Sequence, residues 1–361
     1  MASADAEDAD GERRVVSDAV GVVVLGSCAT WSLVTAAARG GRPEGVLLAV
    51  LAVAAGYAAG RISGVLLPVA APCAAALAGL GLTAALPRLG PGPETVTPLG
   101  HAGATVAVLI LSAGAACCAA WATPVPAPRL VLRLLACGTA AVGAALGSPT
   151  ATVSCAAVVL CSLAAGRMPH RGRGLAGLAL AAAAVTGLTW AAAGAALPGG
   201  LAASLEDRLT PRRVDLWRDA LDLARHDAGL GVGPGRFGEL SATAARTTLS
   251  DGKPHSAPFQ MAAEQGVVGV LLLAAAFGWV LFALWHAARP TPVVLSAGAA
   301  LTGVAAVASV GNALSFTTVS VGAGLLAGLA TARPLVVGPA SGTVPARSGR
   351  DLRSRDGRPA V

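Results

Sequence analysis

Between Glu206 and Glu264 lie eight Arg or Lys and nine Asp or Glu, in a chain that otherwise keeps its charges in tails and short connections. The groups suited to acid–base and anion chemistry are here. Arg213, Arg218, Arg236, Arg246 and Lys253 can hold phosphate oxygens, the arginines through a planar two-point contact. Histidine titrates near neutrality and can take a proton from a hydroxyl, and the later of the two in this stretch is His255. It precedes a long apolar run by about ten residues, roughly three turns if 256–265 is helical. Gly233-Pro-Gly235-Arg236-Phe237-Gly238 fits the spacing G-x-G-x-x-G, but no strand precedes it and no βαβ unit surrounds it. It reads instead as a tight turn whose bare backbone lets another group approach closely. The plain alternatives are that Arg213 pairs with a helix neighbour such as Asp215 or Asp207, and that His255 is an interfacial polar residue. His226 reads as the cation at a helix C-terminus.

These residues need elements to position them. Thr210-Pro211 has the form of an N-cap and first-turn pair. Val214, Trp217, Leu221 and Ala224 then recur at helical spacing, with Leu216, Ala220 and Leu223 widening the stripe and Gly229 able to close it. The spacing predicts an amphipathic helix over 211–227, lying on the outer membrane surface or over a bundle cavity.

The rest of the chain is apolar. It has 361 residues, 55% hydrophobic and only 12% charged, with a mean hydropathy of +0.68, against about 25% charged in soluble chains. Stretches of roughly 20 residues run without a charge, enough to cross a bilayer. A soluble enzyme, a disordered protein and a disulfide scaffold are excluded. The seven cysteines (Cys28, Cys73, Cys117, Cys118, Cys137, Cys155, Cys161) all fall in apolar stretches and read as small packing residues, with no metal-type pair. The net charge of +7 does not point to nucleic acid, because twelve aromatics leave little to stack bases on. Six arginines in 332–361 suit a flank facing anionic lipid.

The expected fold class is all-α: a polytopic membrane protein of about ten transmembrane helices, near 19–38, 44–60, 63–86, 101–121, 130–147, 149–166, 174–197, 266–286, 293–310 and 313–332. The leader 1–18 carries six acidic residues against Arg13 and Arg14, the wrong bias for a cleaved signal. Short-loop arginines (Arg61, Arg129, Arg167, Arg171, Arg173, Arg289 and the tail from Arg333, against Arg39, Arg42 and Arg88) put both termini in the cytoplasm. The expected organisation is a cytoplasmic N-tail 1–18, seven spans over 19–197, an extracytoplasmic loop 198–265 with the candidate site, three spans over 266–332 and a basic C-tail 333–361. Gly56-x-x-x-Gly60-x-x-x-Gly64 and Gly324-x-x-x-Gly328 have the spacing of helix contact faces. Trp279 and Trp285 read as lipid- or interface-facing.

The order of the loop features resembles the O-antigen ligase/polymerase superfamily: Arg213-x-x-x-Trp217, then Gly231-x-Gly233-x-Gly235-x-Phe237, then His255-x-x-x-x-Gln260-x-x-x-Glu264-x-Gly266-x-x-Gly269. The resemblance covers about 205–285 well and the whole chain loosely. It implies a GT-C-like membrane glycosyltransferase of the cytoplasmic membrane. Such an enzyme moves a glycan from an undecaprenyl-diphosphate carrier to a glycan or lipid acceptor hydroxyl at the outer leaflet, in cell-surface polysaccharide biosynthesis, without nucleotide, metal or other cofactor. By the same resemblance Arg213 is the diphosphate clamp and His255 the general base; Arg218, Arg236, Arg246 and Lys253 are neighbouring substrate-binding candidates without a matched position. Two departures stand out. The family has Asn after its histidine, where this chain has Ser256. It also carries a Ser-Arg pair at the outer end of an earlier span, where this chain has Ser148-Pro149. Two other classes stay open on the residues: a transporter or flippase for a polyprenyl-linked or lipid substrate, and a non-catalytic scaffold of the same fold. Intramembrane charge would favour the transporter, and no buried acidic residue interrupts the spans after Asp18; Pro149 favours the scaffold.

Overall fold

The computed structural model describes residues 2–89, 98–194, 196, 211–246 and 252–333. Thr210, Asp207 and the basic tail beyond Arg333 lie outside the described residues. Every regular element among those described is helical. In order they are α1 (Ala2–Arg39), α2 (Glu44–Leu66), α3 (Ala70–Leu89), α4 (Pro98–Ala122), α5 (Pro126–Ala145), α6 (Pro149–Ala165) and α7 (Arg171–Ala193). There follow α8 (Pro211–His226), the short α9 (Phe237–Leu240) and α10 (Ala242–Ala245), α11 (Ala257–Trp285), α12 (Thr291–Val310), a 3₁₀ turn (Ala313–Ser315) and α13 (Thr317–Thr331). Seven helices are long and apolar enough to cross a membrane, and three more apolar helices are shorter. The chain is thus a multi-pass, all-helical membrane protein.

α4 and α12 form the buried centre. Around them, leucines and valines such as Leu51, Val153, Leu160 and Leu180 are exposed, an apolar surface that suits lipid and not water. The small-residue faces meet as their spacing suggests. α2 lies along α13 so closely that a Cβ on Gly60 would come within 2.2 Å of the Leu325 carbonyl oxygen, and one on Gly328 within 2.2 Å of that of Tyr57. Backbone against backbone maximises dispersion contact where lipid offers no hydrophobic driving force.

Two boundaries differ from the hydropathy pattern. The apolar run over 63–86 is split, because α2 continues to Leu66 and α3 begins at Ala70. The span expected at 266 belongs to a helix that begins at Ala257 and is broken at Gly266, whose φ of 67° and ψ of −162° are not helical. Trp279 is also not lipid-facing: it is 4% exposed and donates Nε1–H to the Ser17 carbonyl at 3.0 Å, in space left by Gly21. Trp285 is 55% exposed, as expected of a lipid-facing ring.

At one end of the bundle, arginines tie helix ends together. Arg289 donates to the Gly64 carbonyl at 2.8 Å and Arg171 to that of Ala287 at 2.5 Å, and Arg61 pairs with Asp18 at 2.9 Å. The opposite end carries the charged loop. There α8 packs on α7, α10 and α11, on the bundle itself. Its buried face is Leu216, Trp217, Ala220 and Leu221, while Val214 and Ala224 are half-buried. The stripe is rotated from the expected one because Phe237 and Ala244, arriving from α9 and α10, cover the 216–220 side.

Asp219 on the other flank of α8 holds those short helices. Its Oδ2 accepts from the Ser241 hydroxyl at 2.6 Å and the Thr243 N–H at 2.9 Å. Burial pushes the carboxyl up, but these bonds, with Arg246 nearby, outweigh it and hold the group below its ordinary 3.8. The carboxylate's contribution is therefore fully present above that value and is lost as pH falls through the lower folded one.

Two outcomes are expected in thermal unfolding of detergent-purified protein. Gly60→Leu must push α2 off α13 and should cost about 1–3 kcal/mol or more, while Gly177→Ala, with open space around it, should be neutral or stabilising by up to ~1 kcal/mol; equal midpoints for the two would refute the close helix pair. Asp219→Asn should lower stability at pH 7, on the order of 1–2 kcal/mol for two bonds to a partly solvated carboxylate, and should flatten the further loss on acidification below the ordinary carboxylate value. A variant whose acid limb matches that of the wild type would show that Asp219 does not hold the short helices.

Candidate functional site

The site end of the molecule is built on a broken helix. Past Gly266, α11 changes direction and leaves the carbonyls of the preceding turn without helical partners. Each is taken up from elsewhere: Ala263 accepts from the Val232 N–H at 2.8 Å, Glu264 from the Gly233 N–H at 3.0 Å, and Gln265 from the Trp31 Nε1–H at 3.0 Å. In return the Val267 N–H donates to the Ala228 carbonyl at 2.9 Å. The approach requires glycine on both sides. A Cβ on Gly231 would lie 2.6 Å from the Glu264 carbonyl carbon, and one on Gly266 2.5 Å from the oxygens of Ala228 and Gly229. Gly231, Gly233 and Gly235 all have positive φ, at 65°, 98° and 74°. The G-x-G run is thus a turn that docks on a helix.

The Glu264 side chain completes the dock from within. It is 2% exposed, and its carboxyl is met by the backbone N–H groups of Gly235 and Phe237 and by Gln260 Nε2 at 3.3 Å. Burial pushes this carboxyl above its ordinary 4.5; those donors and the charge of Lys253 pull against the rise without cancelling it. The α1–α2 connection closes the far side. Arg42 N–H donates to the Pro234 carbonyl at 2.7 Å, Arg236 donates to that of Arg39 at 2.8 Å, and Arg39 pairs with Asp227.

α8 is brought onto the head of α11 by aromatic contact. Trp217, fully buried, stacks on Phe259 at 5.4 Å between ring centroids, and Trp190 of α7 stacks on the same ring at 5.1 Å. Trp217 Nε1–H donates to the Pro254 carbonyl at 3.0 Å, which fixes the residue next to His255. Arg213 is one turn before Trp217 on the same face of α8. It is half-buried, and burial lowers its proton affinity. Among the described residues nothing pairs with it, so it is not spent on Asp215. Asp215 instead takes Arg218, at 3.1 Å across an exposed helical turn.

His255 has φ of 53°, the one positive value outside glycine among the described residues. A non-glycine side chain in this region is uncommon, and such strain gathers at functional sites. Ser256, next to it, is the N-cap of α11, 1% exposed, with a hydroxyl that meets no partner. Arg236, against Arg39 and Glu239, and exposed Arg246, near Asp219, are placed apart from this head, while Lys253 is close enough to it for its charge to act on Glu264. His226 is exposed at the end of α8, its ring against the Asp222 carbonyl at 3.0 Å, as expected of a C-terminal residue. Ser148 caps α6 by accepting from the Ala151 N–H at 3.3 Å, with Pro149 in the first turn. Among the described residues no three His, Cys, Asp or Glu are grouped to share a metal ion.

An apolar groove of about 470 Å³, lined by Val22, Gly26, Trp31, Val268 and Leu272 among others, runs between α1 and α11 and ends near the break at Gly266. Trp31, Trp190, Phe259 and Asp227 carry this architecture without any local sequence signal; each acts through a partner far away in the chain.

Neither a curated protein nor a solved structure matches the chain. A family model described as O-antigen ligase matches residues 134–274, a stretch that runs from α5 into α11 and contains Arg213, Trp217, the glycine turn, His255, Glu264 and Gly266. Over that stretch the chain is similar to the O-antigen ligase superfamily.

Proposed function

We propose that this protein transfers a glycan from an undecaprenyl-diphosphate carrier to an acceptor hydroxyl at the outer leaflet of the cytoplasmic membrane, in cell-surface polysaccharide biosynthesis. One observation carries the proposal: a half-buried arginine with no anionic partner among the described residues, Arg213, is one turn from the tryptophan that fixes the residue next to a strained histidine, His255. A buried cation without a counter-charge is costly, and a diphosphate supplies that charge when it binds.

In this mechanism Arg213 takes the diphosphate oxygens and stabilises the charge that grows on them as the bond to the sugar C1 breaks. His255 accepts the proton of the acceptor hydroxyl as its oxygen attacks C1 from the opposite face. The new glycosidic bond is inverted, the carrier leaves as undecaprenyl diphosphate, and His255 ends protonated. The groove between α1 and α11 offers the polyprenyl chain a lateral apolar path. The loop face is proposed to be extracytoplasmic, because Arg61, Arg129, Arg167, Arg171 and Arg289 all lie in helix connections or the adjoining turns at the other end.

Orientation is tested by single cysteines at exposed Ala242 and exposed Met168 in a background without the native cysteines. An impermeant thiol reagent should label position 242 in intact cells and position 168 only after permeabilisation; the reverse would invert the topology. Catalysis is tested in proteoliposomes with a donor and acceptor that the wild type uses. Arg213→Ala should lose about 10²–10³-fold in rate and His255→Asn about 10²–10⁴-fold, asparagine being chosen because it tolerates the positive φ. Both should purify at normal yield, and Arg213→Lys should stay poor because an ammonium lacks the planar two-point contact. Near-wild-type transfer by the alanine and asparagine variants would overturn the assignment.

A further inference from the structure

Three serines hold N-cap positions at the described helix starts of this half of the molecule, and two of them cap. Ser148 accepts from the Ala151 N–H at 3.3 Å and Ser241 from the Ala244 N–H at 3.1 Å. Ser256 has the same extended backbone, φ −159° and ψ 122°, yet makes no cap bond. Its hydroxyl is buried without a partner among the described residues. Pro258 is in the first turn of α11, where it has no amide to offer, and the amides of Ala257 and Phe259 open the helix without a cap from the Ser256 side chain. The segment from 257 to the break at Gly266 forms the positive end of a helix.

The groups around that end are donors. The uncommitted hydroxyl is beside His255, and Pro254 is bonded to Trp217, one turn from the unpaired Arg213. A helix N-terminus, a free hydroxyl and a cation together make an anion site of the phosphate kind. The earlier span offers no equivalent: Ser148 is spent on its cap and Pro149 carries no charge.

We infer that the Ser256 hydroxyl and the amides opening α11 bind the second phosphate of a diphosphate whose first phosphate is held by Arg213. The inference rests on the proposed function in so far as the ligand is a diphosphate ester. Ser256 turns its hydroxyl toward the anion when the ligand arrives, and no structural bond is lost in that rotation.

The test is binding to purified protein in nanodiscs, with farnesyl diphosphate, farnesyl monophosphate and inorganic pyrophosphate as probes. The wild type should prefer the diphosphate ester to the monophosphate. Ser256→Ala should weaken the diphosphate about tenfold, the scale of one hydrogen bond to a charged group, and leave the monophosphate unchanged. Ser256→Cys, near in size but a poor donor, should give the same loss, and both should melt with the wild type because the hydroxyl has no partner to lose. Arg213→Ala should weaken both esters, and Ser148→Ala neither. Pyrophosphate that binds as tightly as the ester and shows the same Ser256 dependence would support the anion site and assign it to a soluble diphosphate. An unchanged preference in Ser256→Ala and Ser256→Cys, or a loss confined to Ser148→Ala, would overturn the inference while an Arg213-dependent transfer still stood. Full transfer and binding by Arg213→Ala would instead sink the proposed function.

Discussion

A membrane helix that stops being a helix must place its freed carbonyls somewhere, because lipid accepts none of them. In this protein the break at Gly266 hands the carbonyls of Ala263, Glu264 and Gln265 to the amides of Val232 and Gly233 and the indole of Trp31. That exchange joins three distant parts of the chain: the glycine turn, the head of α11 and the outer part of α1. The buried Glu264 carboxyl repeats the join from the side-chain direction, on the amides of Gly235 and Phe237. Without the exchange, 257–265 would run straight into the span, and nothing would set His255 and Ser256 against α8.

This dependence explains what the sequence could and could not reveal. The glycines at 231, 233 and 235 were legible as a turn permitting close approach, because positive φ is a local demand. What approaches them was not, since Ala263 and Glu264 are some thirty residues away and no local pattern names them. The hydropathy pattern placed the start of a span at 266, which is where the helix breaks; it could not show that helix also precedes the break, because 257–265 mixes polar with apolar residues. Trp217 was legible from its helical stripe. Its stack with Phe259 and Trp190 was not, because ring contacts form between elements whose order in space the stripe does not encode. Arg213 and His255 were named by type and order, while their condition, one unpaired and one strained, needed the fold.

The rigid part of the molecule is made differently. α2 and α13 are held by backbone contact along Gly56, Gly60, Gly324 and Gly328, where any side chain would collide with a carbonyl oxygen. Packing of that kind gives little freedom to slide, and it lies away from the loop. A stiff bundle beneath a loop docked by directional hydrogen bonds keeps the site residues in register.

The placement of Arg213 is itself informative when compared with the other arginines. Arg129, Arg171 and Arg289 each donate to a carbonyl that the end of a neighbouring helix leaves free: Thr123, Ala287 and Gly64. Those cations meet partial negative charge, which is where a helix macrodipole favours them. Arg213 is in the first turn of α8, at the positive end of a helix, one turn from the Trp217 that bonds Pro254 ahead of α11. Electrostatics opposes a cation there, burial opposes it further, and no described carboxylate relieves either cost. A purely structural arginine gains nothing from such a position. In the proposed function, an anion with several oxygens bound beside Arg213 supplies the charge that offsets both costs.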